Sequence, residues 1–120
     1  VDEQLHRIAD RMWEDLLAAE PTLGTFVGDD RYDHALPDLG EAGRAAMAGL
    51  SARAVDAVAA LPREGWDDAD HALAEIIDAI GARITARVEH RVDRLEVGNQ
   101  MAGPATTLGE IASVQRADTP

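Results

Sequence analysis

The chain has 120 residues, a formal charge of −12 and no cysteine. That length fits one domain with a modest core, and the missing cysteine excludes a disulfide scaffold, a thiolate zinc site and a cysteine nucleophile together. All 11 basic residues are arginine, and the acidic excess argues against nucleic acid or an anionic membrane surface as a partner, since both need clustered positive charge.

The first apolar stripe runs Leu5, Ile8, Met12 and Leu16, with Ala9, Trp13 and Leu17 beside it and Glu3, Arg7, Asp10, Arg11, Glu14 and Asp15 opposite. This predicts an amphipathic helix over residues 2–20. Pro21 stops it, because the residue before a proline resists helical angles. Trp13, next to the stripe, is expected to anchor the helix in the core.

From Pro21 to Pro37 the apolar residues Leu23, Phe26, Val27, Tyr32 and Leu36 have no sustained period, and Gly24, Gly28 and Asp29-Asp30 punctuate them. An ordered loop is expected there. A second helix is predicted from Leu39 to Leu61, capped by Asp38 and buried along Met47, Leu50, Ala54, Val58 and Leu61. Pro62 ends it.

A short connection with Gly65 and Trp66 leads to a third helix, predicted from Asp68 to Val97. Asp67, Asp68 and Asp70 suit its positive end, and Arg87, Arg91 and Arg94 its negative end. Leu73, Ile76, Ile77, Ile80, Ile84, Val88, Val92 and Leu95 mark its buried side. Gly98-Asn99 is a stop signal, and Ala105 to Arg116 is a short last helix. The fold class is therefore all-α: an antiparallel bundle of three long helices, a short C-terminal helix, and one ordered loop between helices one and two.

No apolar run approaches the roughly 18 residues of a membrane span. The acidic start Val1-Asp2-Glu3 lacks the order of a signal peptide, which favours the cytoplasm. The chain starts inside a helix and ends at Asp118-Thr119-Pro120 without a closing element. It is expected to be an N-terminal fragment, residues 1–120 forming a single helical domain of a larger protein.

Chemistry is sparse. None of His6, His34, His71 and His90 belongs to a His-Glu-x-x-His pair. Glu3 with His6 and Asp68 with His71 have the three-residue spacing used in di-iron bundles. Histidines beside carboxylates on a surface are the plainer reading. Ser51 and Ser113 lie in no nucleophile elbow. The run Gly28-Asp29-Asp30-Arg31-Tyr32-Asp33-His34-Ala35-Leu36-Pro37-Asp38 is either an ordered connector that caps the next helix or a loop lining a cleft.

That loop, with Trp13, Leu16-Leu17 and Pro21-Thr22-Leu23-Gly24-Thr25 before it and Asn99-Gln100-Met101-Ala102-Gly103-Pro104 after it, resembles the start of a large bacterial family, domain of unknown function 885. The resemblance covers nearly all of this chain and only the opening part of a typical member. Members are mostly helical and similar to zinc metallopeptidases, so the resemblance implies zinc in the full-length protein and none in this chain. The family's zinc motif lies downstream, and no catalytic residue carries over. What carries over is the loop at Gly28, Tyr32, Asp33, Leu36, Pro37 and Asp38, a candidate cleft lining. The implied function is a cleft-forming N-terminal domain; the alternative is a stand-alone helical binding or regulatory module. The first expected partner is the remainder of the polypeptide. An isolated fragment would expose the apolar surface meant for it, and a homo-oligomer through helices one and three is expected.

Overall fold

A computed structural model describes residues 1–95 and 103–115. The described chain is all-α: α1 spans Glu3–Ala19, α2 Pro21–Val27, α3 Glu41–Ala59, α4 Asp68–Glu89 and α5 Pro104–Val114. Short 3-10 turns lie at Asp30–Tyr32 and Val92–Leu95. No helix among the described residues is long and apolar enough to cross a membrane.

The segment after α1 is more regular than a loop. Pro21 does end α1, but it also begins α2 at a first-turn position, where its missing N–H would have no partner in any case. Seven residues make barely two turns, too few for an apolar period to show. Gly28 closes α2 in the left-handed region at φ 86°, where a side chain would be strained.

The second long helix starts later than its apolar pattern implies. Gly40, not Asp38, occupies the cap position, and no side chain caps α3. Asp38 instead accepts the Gly40 N–H at 2.8 Å, a bond that holds an extended turn ahead of the helix. The third long helix stops at Glu89; Arg91 takes φ 49°, and the 3-10 turn follows. Its expected limit at Val97, the Gly98-Asn99 stop, the Asn99–Ala102 stretch and Arg116 lie outside the described residues.

The core joins Leu5 and Met12 of α1, Leu50, Ala54 and Val58 of α3, and Ala74, Ile77 and Ile84 of α4. α3 is the central helix and packs against both others. It runs antiparallel to α4: Ser51 meets Gly81, and Arg44 near its start reaches Asp93 beyond the far end of α4 at 3.9 Å. α1 and α4 run parallel, since their amino termini meet.

That meeting is a clasp of side chains on backbone amides. Asp70, 1 % exposed, accepts the Asp2 N–H at 2.9 Å and the Asp67 N–H at 3.2 Å. Asp67 accepts the Asp70 N–H at 2.8 Å, completing a capping box. Asp2 accepts the Leu5 N–H at 2.9 Å and the Trp66 indole N–H at 3.1 Å. One carboxylate thus serves two helix starts, and the other two cap their own helices.

The clasp fixes an acid response. The Leu5 N–H holds the Asp2 carboxyl below its usual range, helped by Trp66, and the Asp70 N–H does the same for Asp67. A depressed folded-state value adds stability above the unfolded value, near pH 4, and loses it as pH falls through the folded one. The melting temperature should therefore hold steady on this account from pH 7 to 5 and fall below about pH 4. Asp2→Asn should flatten part of that fall in pH-dependent melting; an unchanged acid limb in the variant would remove Asp2 from the account.

Gly43, in the first turn of α3, sits against the Asp38 carbonyl so closely that a β-carbon there would overlap it. Gly43→Ala is expected to lower stability. Overpacking against backbone costs about 1–3 kcal/mol, more than the roughly 1 kcal/mol that alanine adds to a helix. Urea unfolding checks it, and a rise in stability would show that the Asp38 segment yields freely.

Trp13 is not a core anchor. It is 42 % exposed, and Ile76 and Ile80 of α4 are 54 % and 40 % exposed. The residues that bury α4 are Asp70, Ala74, Ile77, Gly81 and Ile84. The apolar arc of α4 is wider than α3 and α1 together cover, and its outer edge is exposed.

Candidate functional site

The loop after α2 is held by three ties. Asp29 begins it: its N–H reaches the Gly24 carbonyl at 2.8 Å, and its carboxylate accepts the Arg31 N–H at 3.1 Å. Arg31 then bridges two elements, donating to Asp29 at 2.6 Å and to both carboxylate oxygens of Glu14 on α1 at 3.0 and 3.1 Å. This is a two-pronged charge-assisted contact. The guanidinium holds the Asp29 carboxyl below its usual range, and Asp29 and then Glu14 push Arg31 further up.

Tyr32 lies under the Arg31 guanidinium at 5.4 Å, with its hydroxyl 3.5 Å from Glu14. Asp33 forms the third tie, accepting the Thr25 hydroxyl at 2.6 Å from the buried wall of α2. Its carboxylate therefore faces the body of the domain as well as the loop surface.

Beyond these ties the chain runs alongside α5. Asp33, His34, Ala35 and Leu36 on one side, and Leu108, Ile111, Ala112 and Gln115 on the other, enclose an open cleft of about 370 Å³. Ile111 is buried, while Leu36 and Leu108 are exposed. The lining is mainly apolar, with one carboxylate, one imidazole and the Gln115 amide among it. Such a lining suits a side chain or a short apolar segment; it lacks the convergent polar groups that fix a small ligand.

Of the six loop residues singled out in the sequence, Asp33 and Leu36 line this cleft. Gly28 and Tyr32 shape and tie the loop instead. Asp38 supports the turn before α3, and Pro37 is half-buried beside it without lining the cleft. His34 belongs to the same run without being one of the six, whereas Leu108 and Ile111 were not legible as site residues. The three-residue spacing of Leu108 and Ile111 shows a helix face, but nothing in it says which element that face meets.

The remaining candidates separate. Trp66 ties α1 to α4 through Asp2, with Arg63 over its ring and His71 edge-on at 5.4 Å. His6 is exposed on α1. Among the described residues, no three His, Asp or Glu side chains are grouped to hold a metal ion. The Glu3–His6 and Asp68–His71 pairs therefore gain no further ligands there, and a zinc ion does not fit the residues described.

No family model, curated protein or solved structure matches this chain.

Proposed function

We propose that this chain is the amino-terminal helical domain of a zinc metallopeptidase-like protein, forming one wall of a cleft and supplying no catalytic group. The observation that carries the reading is the tied loop. Its resemblance to the Gly-x-x-x-Tyr-Asp-x-x-Leu-Pro-Asp pattern is joined by a geometry that holds Asp33 and Leu36 at a cleft edge. The apolar residues Phe26, Val27, Leu36, Leu39 and Leu108, on α2, α5 and the segment between α2 and α3, are exposed, and suit cover by the remainder of the polypeptide. Zinc would be held by that remainder, and no step of its chemistry runs through these residues.

The reading expects the gene to continue past Pro120 into a long reading frame carrying a downstream His-Glu-x-x-His; a stop codon soon after Pro120 removes it. It also expects the pure chain to hydrolyse no peptide substrate with zinc added. Zinc-dependent turnover by this chain alone would contradict it.

A second reading, a stand-alone helical binding or regulatory module, is favoured by the apolar groove between α1 and α4. The same reading-frame test separates the two.

A further inference from the structure

α1 and α4 touch at their amino termini and then leave an apolar groove of about 130 Å³ on the face turned away from α3. Met12, Trp13, Leu16, Leu73, Ile76 and Ile80 line it. Trp13 is the larger of the two kinds of side chain left open there, and Ile76 is more than half exposed. This surface shares no residue with the Asp33–Ile111 cleft.

Two features of α4 bear on what covers the groove. The stripe Leu73, Ile76, Ile80 continues at three- and four-residue spacing into Arg83 and Arg87, both exposed. Neither arginine forms an ion pair with another of the described residues. The opposite end of α4 carries the exposed pair Asp67 and Asp68. The helix is thus positive along the groove rim at its carboxyl end and negative at its amino end, which is the pattern of an element complementary to its own reverse.

We propose that the groove is covered by a second copy of this chain, in a twofold dimer whose axis crosses α1 and α4. That symmetry sets α1 on α1 and α4 on α4, each pair antiparallel, and completes a four-helix layer from two parallel pairs. Trp13, Ile76 and Ile80 of both copies are buried together. Arg83 and Arg87 then fall over Asp68 of the partner subunit, and the same contact repeats across the axis, as a closed twofold interface requires. The parallel dipoles of α1 and α4, unopposed on this face in the monomer, gain antiparallel neighbours. A twofold axis along the helices would instead align all four helices in one direction, leaving their dipoles parallel. The dimer does not depend on the cleft-wall reading.

Sedimentation equilibrium and light scattering on the full chain test it, with circular dichroism as the check on folding. The expected mass is twice 12.8 kDa. Ile76→Asp is expected to give a folded monomer, and Trp13→Ala to weaken the dimer about ten-fold or more. Arg83→Glu with Arg87→Glu should weaken it similarly, and adding Asp68→Arg to that pair should restore association. A wild-type monomer up to millimolar concentration overturns the proposal, as does a dimer unaffected by Ile76→Asp. Failure of Asp68→Arg to restore the charge-reversed protein overturns the antiparallel arrangement. A monomer that instead binds a basic amphipathic peptide in this groove, seen as a Trp13 fluorescence change lost in Trp13→Ala, also overturns it. None of these results bears on the reading frame beyond Pro120, so the two proposals fail separately.

Discussion

Asp70→Ala is expected to lower unfolding stability by about 3 kcal/mol or more, because hydrogen bonds to a charged group contribute roughly 1.5–3 kcal/mol each and two would go at once. The Asp70 carboxylate is nearly inaccessible and takes the backbone N–H groups of Asp2 and Asp67. Alanine leaves both donors without a partner and removes half of the capping box on α4. Against a typical net stability of about 5–15 kcal/mol this is a large share. Asp70→Asn keeps one carbonyl oxygen as acceptor but presents an amide to the second donor, so it should lose less than alanine. Urea unfolding followed by circular dichroism reads both. A change for Asp70→Ala within about 0.5 kcal/mol, the usual range for surface substitutions, would show that the clasp adds nothing.

Gly81→Leu is the other substitution with a large expected effect. α3 and α4 approach most closely where Ser51, fully buried, donates its hydroxyl to the Gly81 carbonyl at 2.7 Å and meets the Thr85 hydroxyl at 3.2 Å. A β-carbon on residue 81 would collide with a methyl of Val55. Valine has one favoured rotamer in a helix and little freedom to swing away. Alanine therefore forces the helices apart slightly, and leucine forces them apart by a side chain. The expected loss for Gly81→Leu is about 3 kcal/mol or more, the upper range of overpacking, and part of it comes from stretching the buried Ser51 bond. The milder Gly81→Ala separates these terms. Combined with Val55→Ala it should recover stability relative to Gly81→Ala alone, and that positive coupling in a double-mutant cycle is the signature of direct contact. Strict additivity of the two changes would place the strain elsewhere.

The long helices were legible because their signals are local. Pro21 and Pro62 fix two ends, and the Leu50, Ala54, Val58 stripe of α3 is buried as its spacing implies. α2 was not legible, since Pro21–Val27 is too short to display a period and its glycines read as turn residues. Trp13 and Ile76 were misplaced for a different reason. Periodicity identifies an apolar arc, but the width that is covered depends on how closely the neighbouring helices approach, and α1 and α3 leave part of the α4 arc open. The small residues Ala74 and Gly81, which make the closest packing, carry almost no hydropathic signal. In the candidate site, Asp33 and Leu36 belong to the loop motif and line the cleft. The α5 face was missed because the approach of α5 to the loop is a long-range fact about the chain.

The clasp at the start of α1 joins residues 68 apart through Asp2 and Asp70, and 64 apart through Asp2 and Trp66. By contrast, α3 and α4 are joined by a short connection and can pair early. Closing the longer circuit removes more chain entropy before any contact returns it. The Asp2–Asp70 bond therefore belongs to the last stage of assembly, and its loss should appear mainly in how fast the folded domain opens. Seen this way, the carboxylate that serves two helix starts is a latch: it does little to bring α1 into place and much to keep it there.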